Sequence, residues 1–311
     1  MGSLLVFKKL RNRLFSPIID RLDYIIKTLD KVLEKMDFIK EEIGRVETRQ
    51  IATIVDQGLF NSEFRAFSQW GEDGIIQYLI NHLRIEKKIF VEFGVGDYTE
   101  SNTRFLLTNN NWSGLIIEKD EECIKKIKNN RIYWQYNLKV AQAHITKENI
   151  NQILGDNGIV NDIGLLSIDV DGNDYWIWEA INIINPIIVI VEYNHRFGIE
   201  KAVTIPYDEQ FDRLKAHHSM IYFGASLRAL HILARKKGYV FIGCCSNGVN
   251  AFFIREDRQN EFIKEISLEK GYMIGTMCET RDVNGVLKKT CPELEKQSLK
   301  KLNLPLVTIE E

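Results

Sequence analysis

From about residue 60 onward, apolar runs of strand length alternate with stretches that carry apolar residues at helical spacing. This alternation is typical of a parallel sheet with crossover helices. Residues 244–248 are short enough for a hairpin, so the last two strands should pair antiparallel. The pattern predicts an α/β fold, a doubly wound Rossmann-like sheet with an antiparallel terminal strand. The predicted strands lie near 88–93, 114–118, 139–145, 164–169, 187–192, 239–243 and 249–254, and the predicted helices near 73–82, 101–108, 120–129, 147–154, 175–183 and 227–236.

The residues before this region follow a different spacing. Apolar residues recur at alternating steps of three and four, at Leu22, Ile25, Leu29, Val32, Met36, Ile39, Ile43 and Val46. This heptad seam predicts a coiled coil between copies of the chain, a homo-oligomer through residues 22–46. The intervening positions are largely charged, which leaves one narrow face for burial. A long helix packed on its own domain is the alternative.

Residues 4–15 place apolar residues on one helical face and four basic residues elsewhere, and the segment is too short and too charged for a secretory signal. A weak contact with a membrane surface and a solvated arm folded against its own oligomer are both open interpretations. We divide the chain into this arm and the coiled-coil helix (1–58), the α/β domain (59–256) and a charged C-terminal extension (257–311).

Composition narrows the class of protein. The chain has 311 residues, of which 45% are hydrophobic, so it can bury a full α/β core. Its net charge of −2 gives no indication of a nucleic-acid partner. The five cysteines include no CxxC pair, which favours a reducing compartment over a disulfide framework. The apolar runs are too short for a membrane span, so we expect a cytoplasmic protein, with the basic arm as its candidate contact with the inner membrane face.

A glycine turn follows the first predicted strand. Gly94 and Gly96 allow a tight turn and close approach of the backbone to a ligand at the carboxyl end of that strand. A dinucleotide fingerprint would place a third glycine where Thr99 stands, and nearby acids would repel a diphosphate. S-adenosylmethionine carries no phosphate and offers an ammonium group and a ribose diol, so it suits this turn. Glu118, which ends the second strand, is a candidate acceptor for the ribose hydroxyls.

Acidic and amide side chains also end the fourth and fifth strands. Asp169, Asp171 and Asp174 follow one strand, and Glu192, Asn194 and His195 follow the other. Carboxylates crowded at one sheet edge repel unless a cation or shared protons relieve them, and oxygen-rich sites suit Mg²⁺ or Mn²⁺. A structural role is the alternative for individual acids, since Asp174 precedes a helical stretch and is a candidate N-cap.

Four stretches in this order resemble one family: "FSQWGEDGII" (67–76), "FVEFGVGDYTESNT" (90–103), "LLSIDVDGNDYWIW" (165–178) and "VIVEYN" (189–194). They resemble class I S-adenosylmethionine-dependent methyltransferases, particularly bacterial sugar O-methyltransferases of the FkbM-like kind, over about residues 60 to 256. The resemblance implies a cofactor site that includes Glu92, Gly94, Gly96, Glu118, Asp169, Gln69, Glu72 and Asp73.

The same resemblance implies roles for the acidic residues. Asp171 becomes a metal ligand together with Glu192 and Asn194, and Asp174 becomes the general base. In those enzymes the base is usually histidine or lysine, so His195 is the rival candidate. The sequence thus predicts a methyltransferase for a sugar or nucleotide-sugar hydroxyl. A nicotinamide-dependent enzyme and a non-catalytic coiled-coil scaffold remain the alternatives.

Overall fold

The chain folds around one large mixed sheet. A computed structural model describes residues 2–53, 58–277, 279–288 and 290–311, with side chains from residue 15 onward. Its strands are β1 (Ile89–Phe93), β2 (Ser113–Glu118), β3 (Leu138–Gln142), β4 (Asn161–Ile168), β5 (Ile184–Glu192), β6 (Val203–Thr204), β7 (Tyr239–Cys244), β8 (Asn250–Arg255) and β9 (Val307–Thr308). Its helices are α1 (Gly2–Ile51), α2 (Glu72–His82), α3 (Arg104–Asn110), α4 (Glu121–Asn129), α5 (Arg131–Gln135), α6 (Ile150–Asp156), α7 (Asp174–Ala180), α8 (Arg213–Ala216), α9 (Leu227–Lys236), α10 (Leu268–Gly271) and α11 (Pro292–Leu302).

Seven strands form the sheet in the order β3-β2-β1-β4-β5-β8-β7. The first five are parallel, whereas β8 pairs antiparallel with both β5 and β7. This topology confirms the predicted doubly wound fold and its antiparallel terminal pair. Because β1, β4 and β5 are neighbours and parallel, their carboxyl ends meet at one edge of the sheet.

Both faces of the sheet are covered, as the apolar character of its strands requires. One core cluster includes Val91, Val189 and the fully buried Trp178, whose ring lies 5.1 Å from that of Phe253 between centroids. A second cluster occupies the other face and includes Phe90 and further side chains of the central strands. The sheet edge that carries the strand ends is therefore supported from both sides.

The first helix, α1, has 50 residues, and only its C-terminal part packs on the rest of its own chain. At Gly44 an added Cβ would lie 2.6 Å from the Phe105 ring, so the missing side chain allows a close crossing of α1 and α3. Asp37 accepts a hydrogen bond from Arg104 at 2.5 Å. The long helix was predicted correctly, while self-association stays a prediction. The side chains of residues 4–14, on which the membrane-surface interpretation depends, lie outside the described part.

In the part of the chain that the structure describes, no helix combines the length and the apolar character needed to cross a membrane.

The C-terminal region, residues 257–311, packs against the α/β domain. Strand β9 pairs antiparallel with β6, a small two-stranded sheet that the sequence pattern did not predict. Glu295 of α11 is completely buried and binds Arg196, which follows β5, at 2.6 Å. Glu295 also accepts hydrogen bonds from the backbone N–H and the hydroxyl of Thr280. This region therefore forms a wall beside the carboxyl ends of β4 and β5.

Candidate functional site

The turn after β1 brings two strand ends into contact. Gly94 has a φ of 69°, and a Cβ added there would lie 1.9 Å from the backbone oxygen of Asp169. Any side chain at this position would push the end of β1 away from the end of β4. Gly96 has a φ of 53° and donates its backbone N–H to Glu118 at 2.9 Å. The turn is thus tied both to β4 and to β2.

The turn borders a cavity of about 310 Å³, which we call the turn cavity. Glu92, at the end of β1, lines it and accepts hydrogen bonds from Ser101 Oγ at 2.6 Å and from the Asn102 backbone at 2.8 Å. Burial raises the pKa of Glu92. Its carboxylate therefore holds the loop that closes one side of the turn cavity. The lining residues are Gln69, Glu92, Phe93, Gly94, Val95, Gly96, Asp97, Thr99, Glu100, Ser101, Asn102, Asp169 and Asn250.

Glu118 lies beside the turn cavity but is not part of its lining. Besides Gly96, its carboxylate accepts the backbone N–H groups of Lys119 at 2.8 Å and Asp120 at 2.9 Å. A carboxylate has about four acceptor positions, so roughly one remains. Glu118 mainly fixes the turn, and its predicted contact with a ribose hydroxyl would use the one acceptor position of the carboxylate that remains.

Two predicted cofactor residues, Glu72 and Asp73, are completely buried and line neither cavity of the site. Glu72 accepts the backbone N–H of Trp70 at 2.9 Å and the side-chain amide of Asn250 at 2.8 Å. One oxygen of Asp73 accepts the backbone N–H groups of residues 66–68 at 2.6 to 2.8 Å. These acids shape the loop that presents Gln69 to the site.

A cluster of three acids lies at the ends of β4 and β5. Asp169, Asp171 and Glu192 each place a carboxylate oxygen within 4.8 Å of the other two. Burial, and then the neighbouring carboxylates, hold the pKa values of Asp169 and Glu192 well above their usual range. Glu192 Oε2 is buried and has no hydrogen-bond partner among the described residues. We call this group the acid cluster.

The acid cluster lines a second cavity of about 170 Å³, which we call the acid cavity. Gln69 and Asp169 line both the acid cavity and the turn cavity, so the two cavities adjoin. His195 also lines the acid cavity and is 6% exposed. Burial, followed by the charge of Arg196, lowers the pKa of His195 to about 3, so its imidazole is neutral at neutral pH.

The structure does not bring Asp174 and Asn194 into either cavity. Asp174 is completely buried and accepts the backbone N–H groups of Val170 at 2.9 Å and Gly172 at 3.0 Å, and burial raises its pKa to about 6. It holds the turn before α7, so its role is structural, but it is the first helical residue and the N-cap is Asn173, not Asp174 as the sequence suggested. The Asn194 amide donates to two backbone carbonyls and accepts from Arg196, so its polar atoms are already used.

Arg213 belongs to the site although no sequence motif points to it. Its guanidinium lies 3.6 Å from Asp171, forms a close ion pair with Glu279 and stacks 3.7 Å from the centre of the Phe223 ring. Gly275, Met277 and Glu279 of the C-terminal region complete the wall of the acid cavity. These residues do not follow the ends of β4 or β5 in the sequence, so only the three-dimensional structure shows that they belong to the site.

Comparisons with known proteins return distant likenesses to solved structures. A "S-adenosylmethionine-dependent methyltransferase" from Clostridium acetobutylicum is 9% identical, over 59% of this chain and 89% of that one, with a TM-score of 0.37. An O-methyltransferase family protein from Burkholderia thailandensis is 11% identical over 59% of this chain and 58% of its own, with a TM-score of 0.34. A fibrillarin pre-rRNA processing protein from Methanococcus jannaschii is 11% identical over 57% and 72%, with a TM-score of 0.36.

These likenesses are too weak to assign an activity. Neither a protein-family model nor a curated protein sequence matches the chain.

Replacing Asp73 with Asn should make stability less dependent on pH. Burial raises the pKa of Asp73 from 3.8 to about 6, so the folded state takes up a proton that the unfolded state releases. Stability from this group is full below about pH 4 and is lost as pH rises through about 6. At about 1.4 kcal/mol per pKa unit, the difference in unfolding free energy between wild type and Asp73→Asn should change by up to about 3 kcal/mol between pH 4 and 7. Urea unfolding measures it, and a constant difference would contradict the burial argument.

Proposed function

We propose that the protein is an S-adenosylmethionine-dependent O-methyltransferase that acts on a sugar hydroxyl, in a nucleotide sugar or a surface polysaccharide, with help from a divalent cation. The observation that carries the proposal is the shared wall between two cavities. Asp169 and Gln69 separate a glycine turn suited to a cofactor from an acidic cavity suited to an acceptor hydroxyl. A methyl donor and its acceptor need this kind of adjacency, since alignment of the reacting atoms supplies much of the rate.

The chemistry of the turn cavity favours S-adenosylmethionine over a nicotinamide dinucleotide. Asp97 and Glu100 line the cavity next to Gly96, where a dinucleotide would place its pyrophosphate. Their negative charge opposes a diphosphate. The same carboxylates suit the ammonium group and the sulfonium charge of S-adenosylmethionine.

The acid cluster supports a divalent cation. Glu192 Oε2 is buried without a partner in the described structure, and three carboxylate oxygens lie close enough to ligate one ion. Oxygen ligands of this kind suit Mg²⁺ or Mn²⁺. Asp169, Asp171 and Glu192 would hold the ion, and the ion would lower the pKa of an acceptor hydroxyl and fix its direction.

Within the acid cavity, His195 is our choice of general base. Burial lowers its pKa to about 3, so the ring is neutral but a weak base, and it would take a proton only from a hydroxyl whose own pKa a bound cation has lowered. Asp174 is already committed to two backbone N–H groups and is not exposed to either cavity. The ring nitrogens of His195 are the proton acceptors that the cavity lining offers besides the carboxylates of the acid cluster and of Glu279.

A sugar is the acceptor class that suits this lining and that the family resemblance implies. Gln69, Asn247 and Glu279 offer amide and carboxylate groups for hydroxyls, and Trp70 offers an aromatic face. Sugars are bound by this combination of hydrogen-bonding groups and ring stacking. We place the reaction in the cytoplasm, where S-adenosylmethionine and nucleotide sugars are made.

Calorimetric titration with S-adenosylhomocysteine tests the cofactor. We expect micromolar binding to wild type and no heat from NAD. Gly94→Ala should lose this binding, because its Cβ would collide with the backbone oxygen of Asp169. Gly238→Ala is the matched control: its φ of 78° imposes similar strain, but no atom lies within 4 Å of the added Cβ. NAD binding, or equal S-adenosylhomocysteine affinity in all three proteins, would reject the assignment.

Thermal melting with added Mn²⁺ tests the acid cluster. Mn²⁺ should raise the Tm of wild type but not of Glu192→Gln, which loses a ligand charge. Without metal, Glu192→Gln should melt higher than wild type by a few degrees, because it removes a buried carboxylate close to two others and relieves roughly 1 kcal/mol or more of desolvation and repulsion. Glu209→Gln, an exposed acid away from the cavities, serves as control. Equal Mn²⁺ shifts in Glu192→Gln and wild type would argue against this site.

Kinetic comparison of two variants tests the base, using an acceptor from a nucleotide-sugar screen and release of S-adenosylhomocysteine as the readout. His195→Gln should lower kcat by about 10² to 10⁴ while leaving affinity for S-adenosylhomocysteine unchanged. Asp174→Asn should mainly lower stability and change kcat by less than about tenfold, since it touches only backbone. The reverse order of effects on kcat would restore Asp174 as the base.

A further inference from the structure

One face of α1 has no partner in the part of the chain that the structure describes. All eight residues of the predicted seam are about half exposed, from 47% at Val32 to 56% at Ile43. The same spacing continues backward to Ile18 and Phe15, each 53% exposed. A row of ten apolar side chains is thus open to water along more than 30 residues of helix, which a stable soluble surface does not tolerate without a covering partner.

The chain's own domain occupies the opposite face of α1. Glu34, Asp37, Gly44 and Arg45 contact it, through ion pairs with Arg131 and Arg104, the Phe105 ring and a hydrogen bond to Asn109. In heptad letters, with Leu22 and Leu29 at position a, these residues fall at positions b, c and f. Lys40, at position e, lies at the margin of the docked face, 5.8 Å from the centre of the Phe67 ring. The a and d positions therefore remain open to a second copy while the domain is docked.

The apolar face is wider than a two-stranded coiled coil needs. Ile19, Ile26 and Leu33 occupy position e in three successive heptads and are 54%, 54% and 60% exposed. Three apolar positions per heptad are typical of helices in a bundle, whereas a two-stranded seam uses only a and d. In parallel coiled coils, Leu or Ile at position a with Ile at position d shifts the preference from two helices towards three or four. The a residues are Leu22, Leu29, Met36 and Ile43, and the d residues are Ile25, Val32, Ile39 and Val46.

Charges beside the seam decide the direction of neighbouring helices. In a parallel pair, position g of one helix faces the following position e of the other. That would place Lys35 against Lys40 and Glu42 against Glu47, two like-charge contacts. In an antiparallel pair, position g faces position g, and the register that sets Leu29 against Val46 and Met36 against Ile39 places Lys35 against Glu42 twice. Of these two arrangements, only the antiparallel one sets opposite charges against each other.

We propose that this face of α1 binds further copies of the same chain and assembles four chains into an antiparallel helical bundle. Antiparallel neighbours close only in even numbers, and the wide apolar face requires more than two helices, so four is the smallest assembly that satisfies both. Tetramers with twofold axes are a common form of soluble homo-oligomer. The domains would then lie outside the bundle, on the b, c and f faces.

Light scattering of the full-length protein measures the number of chains directly. We expect four times the chain mass of 36.2 kDa. Leu29→Asp should give a folded monomer, because the Leu29 side chain is exposed on the face away from the domain. Urea unfolding of this variant, measured without S-adenosylhomocysteine, checks that the α/β domain is still folded. A monomeric wild type would overturn the proposal, and a dimer or trimer would overturn the stoichiometry that it states.

A charge reversal tests the direction of the helices. Lys35→Glu would face Glu42 in the antiparallel bundle, so the tetramer should dissociate at a protein concentration at least several-fold higher than wild type. In a parallel arrangement the same change would create an attraction to Lys40 and strengthen assembly. Lys27→Glu, an exposed residue at position f, carries the same charge change outside the seam and should leave assembly unchanged. Tighter assembly of Lys35→Glu would overturn the antiparallel geometry.

Discussion

The site depends on how closely the ends of β1 and β4 approach each other. The backbone of Gly94 lies against the backbone oxygen of Asp169, at a distance that excludes even a methyl group. This contact sets the turn cavity beside the acid cluster and makes Asp169 part of both cavities. Because the sheet fixes the register of the two strands, the separation of the two cavities is fixed by backbone rather than by flexible side chains.

Buried carboxylates that bind backbone N–H groups recur around this contact. Glu72, Asp73, Glu92 and Asp174 each hold a loop at the carboxyl edge of the sheet, and Glu295 does the same for the C-terminal region. Hydrogen bonds to charged groups are stronger than neutral ones and repay part of the desolvation of each acid. The loops at the edge of the sheet are therefore held in place by these hydrogen bonds rather than by regular secondary structure.

Because several of these carboxylates have structural roles, the sequence alone predicted only part of the candidate site. The sheet, the glycine turn and the convergence of Asp169, Asp171 and Glu192 followed from apolar runs and from the rule that parallel strand ends meet. Sequence reasoning also recognised an acidic edge, but it could not separate acids that line a cavity from acids that hold a loop. That distinction depends on which N–H groups each carboxylate meets, as at Asp73 and Asp174. Arg213 lies far from any strand end in sequence, so its presence beside Asp171 could not be read from local spacing.

The wall of the acid cavity comes from two separate stretches of the chain. The glycine turn and the acid cluster belong to the sheet, whereas Gly275, Met277 and Glu279 belong to a segment that the sheet does not need for its own core. Ion pairs of Glu279 with Arg196 and Arg213 hold that segment in place, and the buried pair of Arg196 with Glu295 supports them. Changes confined to it would alter the shape offered to an acceptor and leave the strand ends untouched. In the reaction proposed above, acceptor preference and methyl transfer would depend on separate stretches of the chain, so the first could change while the second is kept.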